Sequence, residues 1–243
     1  SNDLFRCKEP YFSSRAKGNI YDFVESYKEN CEKTAGKGLM CMFSGNHDVD
    51  RLARHLHGDE LKVAFAFILS MPGAPFIYYG DEIGMRYVEG LKSVEGGYNR
   101  TGSRSPMQWD DSTNAGFSSA PASDLYIAMD PDKDRPTAKK EMAAPDSLYH
   151  EVKKLIRIRQ SHKALQSRGK ITFVYAEKNA YPLAYIREDG DEKILVIINA
   201  AAEAKTFACD AEPKEAIYNF GAAAEAKNGK ITVPAQSAGF YRI

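Results

Sequence analysis

The chain has 243 residues, and its Lys plus Arg and Asp plus Glu each total 33, for a formal net charge of zero. That balance offers no long-range attraction for nucleic acid or anionic lipid. Hydrophobic residues make up 43% of the chain, yet its longest apolar run, Val63 to Met71, falls well short of the ~18 residues of a membrane span.

From the N-terminus, the chain opens on Ser1-Asn2 without Met, so it is expected to have been cut from a longer protein or to carry a tag remnant. Ile20, Phe23, Val24 and Tyr27 recur at helical spacing and predict a helix from Asn19, its cap, to Cys31. After Gly36 and Gly38, Leu39 to Phe43 reads as a strand apolar on both faces, the habit of a parallel sheet. Cys41 within it is expected to be a small core residue, and none of Cys7, Cys31, Cys41 and Cys209 has metal-type spacing. A helix is predicted over Asp59 to Ser70, stopped by Pro72-Gly73, and a second short buried strand over Phe76 to Tyr79. This is the βα repeat of a barrel or doubly wound sheet.

Asp81 to Pro145 carries no long periodic element and is rich in Gly, Ser, Asn, Asp and Pro. A loop this long in a compact protein is usually functional or disordered. Ser147 to Ser161 then predicts a helix with Leu148, Val152, Leu155, Ile156 and Ile158 inward and Lys153, Lys154, Arg157 and Arg159 outward. Beyond Leu165 the period switches to two. Strands are expected over Ile171 to Tyr175, Leu183 to Arg187, Lys193 to Asn199, Ala216 to Asn219, Lys230 to Val233 and Gly239 to Arg242, with hairpin turns at Asp189-Gly190 and Asn228-Gly229. The expected organisation is α/β followed by all-β, with an α/β domain over residues 1–162 and an antiparallel β-sandwich over 163–243.

The chemistry concentrates at the end of the first strand, where Asn46-His47-Asp48 follows Phe43-Ser44-Gly45. In a parallel α/β barrel the C-terminal ends of the strands carry the reaction. Arg51, three residues on, reads as a brace for this loop or a partner for an acid. Asp81 and Glu82 are expected to bond loop backbone rather than substrate. Trp109, the only Trp, is equally suited to stacking on a sugar face and to wedging its loop. His55 and His57 show no third metal ligand and fit a surface or rim role, and no metal site is expected.

Four stretches in order carry a resemblance: Phe43 to Asp48; Pro72 to Met85 with its Tyr78-Tyr79-Gly80-Asp81-Glu82 core; Arg104-Ser105-Pro106-Met107-Gln108-Trp109-Asp110 with Asn114-Ala115-Gly116-Phe117; and the helix ending Arg157-Ile158-Arg159. Across residues 20–243 the chain resembles the C-terminal part of the α-amylase superfamily, glycoside hydrolase family 13, and within it the α-glucosidase, oligo-1,6-glucosidase and trehalose-synthase group. The resemblance implies strands seven and eight of a (β/α)8 barrel, with their helices, followed by the C-terminal β-sandwich. It implies that Asp48 is the acid supporting the transition state, that His47 and Arg104 hold one glucose, and that Asn46, Arg51 and Trp109 are further candidates. Retaining glycosidases also need a nucleophile and an acid/base about 5 Å apart. In the family these lie on strands four and five, upstream of Asn46. No Gly-x-Arg-x-Asp stretch precedes residue 39, and Glu9 sits too close to Asp48 to be the acid.

The resemblance thus leads to the expectation of a C-terminal fragment, inactive alone, of an enzyme that hydrolyses α-glucosidic bonds in α-glucans or oligosaccharides. Its partners are that substrate and the missing N-terminal part of its own barrel. The alternatives are a trehalose-synthase-type isomerase or transglycosylase, and a non-catalytic interaction protein of amylase fold. No cofactor is expected; calcium is allowed in the full-length enzyme without an identified site. With only two barrel strands, the fragment is expected to self-associate or to leave its first ~40 residues poorly ordered.

Overall fold

The structure, a computed structural model, describes residues 2–94, 96 and 99–243. In chain order its helices are α1 (Asn2–Phe5), α2 (Tyr21–Thr34), α3 (Asp59–Ser70), α4 (Ala138–Ala143) and α5 (Leu148–Ser161). Strands β1 (Cys41–Phe43) and β2 (Ala74–Phe76) flank α3 in sequence and form a two-stranded sheet. The Ala74 N–H donates to Met40 and the Ser44 N–H to Phe76. The bonds advance along both chains together, so the pairing is parallel. After α5 come β3 (Lys170–Tyr175), β4 (Leu183–Asp189), β5 (Glu192–Asn199), β6 (Lys205–Ala208), β7 (Ala216–Phe220), β8 (Glu225–Lys227), β9 (Lys230–Val233) and β10 (Ser237–Arg242). They form two sheets, ordered β3-β4-β5-β10-β7 and β6-β9-β8, and every pair is antiparallel.

The described residues divide into two compact units. One comprises Ser1–Met42, His55–Pro75 and Lys154–Ile243; the other comprises Phe43–Arg54 and Phe76–Lys153. In the first, Leu195, Ile197 and Tyr241 from the five-stranded sheet share an apolar cluster with Phe207, Ile231 and Val233 from the three-stranded one. Residues 194–199 of β5 are buried without alternation, because β5 is paired on both edges and α3 lies against it. The Asn228-Gly229 turn has both residues at positive φ (53° and 71°), the geometry that joins β8 to β9 in a two-residue hairpin.

Two buried arginines hold α3 in place. The last turn of a helix leaves carbonyls without intrahelical partners, and here that turn lies inside the unit. Arg159 donates to Leu69 (2.8 Å), Met71 (2.7 Å) and Gly73 (2.8 Å). Arg187 donates to Ser70, Gln166 (2.7 Å) and Gly169 (3.3 Å). Burial pulls the Arg187 guanidinium down to about 10, which leaves it charged at neutral pH. At the other end of α3, Glu60 accepts from the backbone N–H groups of Ser14 (2.7 Å) and His57 (2.8 Å).

Several expectations need correction. Cys41 is exposed, and so is Phe76. The first strand is shorter than expected, Cys41–Phe43, and the second lies earlier, at Ala74–Phe76, sharing only Phe76 with the expected Phe76 to Tyr79. Among the described residues they pair only with each other, and β1 buries Met42 on one face while leaving Cys41 on the other exposed. Arg159 points inward because its donors are needed by buried carbonyls. Within the first 40 residues, Leu4, Tyr11, Phe12 and Ile20 are fully buried, and Tyr11 stacks on Tyr181 at 4.3 Å. Helix α2 starts at Tyr21, with the Asn19 side chain accepting its N–H. Strands β6 and β8 were not expected at all.

Replacing Arg159 with Met leaves three buried carbonyls without a donor, each costing about 1–3 kcal/mol. The variant should unfold at clearly lower urea than the parent chain, as read by far-UV circular dichroism. Glu60 gives a pH test. Burial pushes its carboxyl up, but the hydrogen bonds from Ser14 and His57 outweigh this and leave it below its ordinary value. A group depressed in the folded state contributes stability above its unfolded pKa, and that contribution is lost as pH falls through the folded value. Glu60→Gln should therefore destabilise the chain at pH 7, and the difference in thermal midpoint from the parent should shrink as pH falls below 4.

Candidate active site

The second unit gathers the sequence-nominated residues around the ends of the two strands. Gly45 must be glycine here: a Cβ at this position would stand 2.8 Å from the Asp81 carboxylate. That close approach brings the chain after β1 onto the chain after β2. Ser44 Oγ donates to Asp81 Oδ2 (2.7 Å) and accepts from the Tyr78 N–H (3.0 Å). Arg51 Nη1 donates to Asp81 Oδ1 (2.9 Å) and to the Tyr79 carbonyl (2.7 Å). Both members of the Arg51–Asp81 pair are essentially inaccessible to solvent. The guanidinium lies over the rings of Tyr78 and Tyr79, 4.8 Å from each centroid, where a cation is favoured by the ring faces.

On this base the Asn46-His47-Asp48 turn is held open to solvent. Asn46 Oδ1 accepts from the Asp48 N–H (2.8 Å), the side-chain turn typical of Asn. Asp48 is half-exposed, and cationic or potentially cationic groups flank both its oxygens. Arg100 Nη1 lies 2.8 Å and Arg104 Nη2 3.2 Å from Oδ1, while His47 Nε2 lies 3.3 Å from Oδ2. Arg104 Nε also donates to the His47 carbonyl (2.9 Å), and Ser103 Oγ donates to the Val49 carbonyl (2.7 Å). The long loop is thereby fastened to the strand-end turn.

The sequence nominations therefore fall into three places. His47, Asp48 and Arg104 come together, with Asn46 shaping their turn. Arg51 is buried with Asp81, a brace to an acid rather than a group facing solvent. Asp81 bonds the side chains of Ser44 and Arg51. Trp109 is exposed on the loop. Arg100 was not anticipated; its only sequence signal is its place four residues before Arg104. Glu9 pairs with Arg15. Among the described residues no group of three or more His, Cys, Asp or Glu side chains could hold a metal ion, His55 and His57 included.

The loop beyond Arg104 is folded by its own sequence. Asn114, Ala115 and Gly116 run through positive φ (51°, 53° and 72°), a conformation that only Gly adopts cheaply. The Asn114 amide stabilises the turn by donating to the Ser118 (2.9 Å) and Ala120 (2.7 Å) carbonyls. The Trp109 N–H donates to the Ala115 carbonyl (2.8 Å), which ties Phe117's turn to Trp109's. Below it, Ile83, Met85 and Met107 form a small core against Ala138 and Tyr149.

The sequence pattern of the α-amylase catalytic domain matches residues 7–168. The chain belongs to the α-amylase family. Glucan 1,6-alpha-glucosidase of Streptococcus pneumoniae serotype 4 is 29% identical to it over 93% of this chain and 48% of that protein. The human amino acid transporter heavy chain SLC3A1 is 30% identical over 74% of this chain and 25% of that protein. A mutant of MutB, a trehalulose synthase, solved in complex with glucose, superposes over 99% of this chain and 50% of its own, with a TM-score of 0.79 and 26% identity. The chain is thus of amylase fold, carries antiparallel sheets, and spans about half the length of the enzymes it matches. No helix among the described residues is long and apolar enough to cross a membrane.

Removal of the Asp81 charge isolates the brace from the site. Breaking one partner of a buried ion pair costs about 3–5 kcal/mol, so Asp81→Asn should lower the thermal unfolding midpoint markedly. Asp48→Asn, at a half-exposed pair, should leave the midpoint nearly unchanged. Differential scanning calorimetry of the two variants makes the comparison.

Proposed function

We propose that this chain is the C-terminal half of a retaining glycoside hydrolase acting on α-glucosidic bonds of α-glucans or oligosaccharides. In this reading residues 1–162 are the last βα units of a (β/α)8 barrel, strands seven and eight included, and residues 163–243 are the C-terminal β-sandwich. The observation that carries it is the half-exposed Asp48 carboxylate flanked by Arg100, Arg104 and His47, in a chain of the α-amylase family.

A carboxylate so placed accepts hydrogen bonds from two ring hydroxyls, and bonds that tighten as the ring flattens toward an oxocarbenium ion lower the barrier directly. His47 is positioned to donate to the same ring, and the Arg104 fork can take a neighbouring hydroxyl pair. Asn46 keeps the turn in register. Asp81 is committed to Arg51 and Asp50 to Arg54 (2.8 Å), so neither is free to attack the anomeric carbon. The nucleophile and acid/base carboxyls are accordingly assigned to the preceding part of the parent protein, and this chain alone is inactive. Among the described residues no cluster of three or more His, Cys, Asp or Glu side chains could hold a metal ion, and no step depends on one.

Two other readings have specific support. The likeness to a trehalulose synthase favours an isomerase or transglycosylase, which would use the same residues and differ in excluding water from the covalent intermediate. The likeness to a transporter heavy chain favours a non-catalytic interaction protein. The full-length protein incubated with maltose and isomaltose separates all three. Free glucose alone supports hydrolysis, a rearranged disaccharide supports the isomerase, and unchanged substrate supports the interaction protein. Asp48→Asn in the full-length enzyme should lower kcat by about 10²–10³, the scale of losing one transition-state partner.

A further inference from the structure

Arg100 and Arg104 can meet Asp48 only while the turn Asn99–Ser103 is fixed against the strand-end turn. One fastening is the Ser103 hydroxyl on the Val49 carbonyl. A second runs through residues that no motif marks. The short helical turn Leu52–Arg54 follows the buried Arg51, and the Arg54 N–H donates to the Arg51 carbonyl (3.1 Å). Asp50 Oδ2 and Glu89 Oε1 each lie 2.8 Å from a terminal nitrogen of the Arg54 guanidinium. Its carbon stands 3.9 Å from the centroid of the Tyr87 ring, well inside the ~6 Å reach of a cation on an aromatic face. A planar guanidinium held by two carboxylates has a set orientation, and it sets the ring that it covers.

That ring grips the arginine-bearing turn at its middle. A Cβ at Gly102 would stand 2.6 Å from two atoms of the Tyr87 ring and closer still to the Val88 carbonyl oxygen. The Val88 N–H donates to the Gly102 carbonyl (3.0 Å), and the Gly102 N–H donates to the Tyr87 hydroxyl. Thr101 and Ser103 on either side are buried, and the Arg104 N–H donates to the Thr101 carbonyl (3.0 Å). Gly102 lies two residues from Arg100 and two from Arg104, so a grip there sets both. All of these residues belong to the second unit.

We propose that Tyr87, held by Arg54, is a positioning residue that presents Arg100 and Arg104 to Asp48. Its effect on turnover rests on the saccharide role proposed above for Asp48; its effect on the arginines does not. Tyr87 acts through Gly102 and the two arginines, and has no part in the chemical step itself.

Tyr87→Leu, Tyr87→Phe and Arg54→Gln test this, each checked for folding by circular dichroism. The Arg104 Nε–H donates to the His47 carbonyl (2.9 Å), so its side-chain NMR resonance in the 243-residue chain reports where the turn sits. That resonance should move toward the position of a free arginine in Tyr87→Leu. It should move less in Arg54→Gln and least in Tyr87→Phe, which keeps the ring and loses only the hydroxyl. In the full-length protein, kcat/KM for maltose or isomaltose should fall about tenfold to a hundredfold in Tyr87→Leu, the scale of a misplaced binding group. The same substitution should cost little once Arg100→Met and Arg104→Met are both present, because residues that act through one another are not additive. An Arg104 resonance unmoved in Tyr87→Leu overturns the inference. So does an undiminished loss of kcat/KM in the background without the two arginines, which would give Tyr87 a structural role alone. If Tyr87→Leu does not fold, Arg54→Gln carries both readouts with the same outcomes. A full-length parent that turns over neither sugar sinks the proposed function, and the Arg104 resonance still decides whether Tyr87 positions the turn.

Discussion

The buried ion pair between Arg51 and Asp81 is the constraint on which the candidate site depends. It joins the chain after β1 to the chain after β2, in a place where neither charge meets water. Two bare charges there would be costly. The cost is offset by the Tyr79 carbonyl, the Ser44 hydroxyl and the faces of two tyrosine rings. The glycine at position 45 follows from the same pair, since any side chain would press on Asp81. With the brace fixed, the three residues after Gly45 have a single course, and Asp48 is delivered outward to meet Arg100 and Arg104 from the long loop.

The division of labour between acids is the second consequence. Asp48 and Asp81 both follow strand ends, and both are paired with arginine. Their surroundings separate them. Asp81 is enclosed, with both oxygens committed to side chains of its own unit. Asp48 is half-exposed, and its partners are flexible guanidinium groups and an imidazole that a ligand can displace or share. An enclosed pair positions; an open one binds. On the function proposed above, Asp48 meets substrate and Asp81 serves the architecture.

Much of this was legible in the sequence, and the failures have physical causes. Asp59–Ser70 was readable to the residue because an apolar face, an acidic first turn and a Pro-Gly stop all coincide. The hairpin at Asn228-Gly229 was readable because only such residues accept positive φ at both turn positions. Strand β8 was not, since Glu225-Ala226-Lys227 is wholly exposed and has no alternation to read. Cys41 was misplaced because an apolar run tells what a strand wants to bury, not whether neighbours are there to bury it. Arg159 was misplaced because helical spacing sorts residues by polarity, whereas its position is decided by the unpartnered carbonyls of another helix. At the site, Asn46, His47, Asp48 and Arg104 were visible as motifs. Arg100, in a loop without periodicity, and the Arg51–Asp81 pairing, thirty residues apart, required the fold.

On the function proposed above, the strand-end turn of this chain is a sugar-binding wall that persists without the nucleophile and acid/base carboxyls. Amide chemical-shift mapping of the 243-residue chain during titration with maltose and isomaltose tests it most directly. Fast-exchange shifts concentrated at residues 44–48 and 100–109, with the amides of β3 to β10 unmoved, are expected. Shifts confined to the antiparallel sheets, or none at saturating sugar, would contradict it.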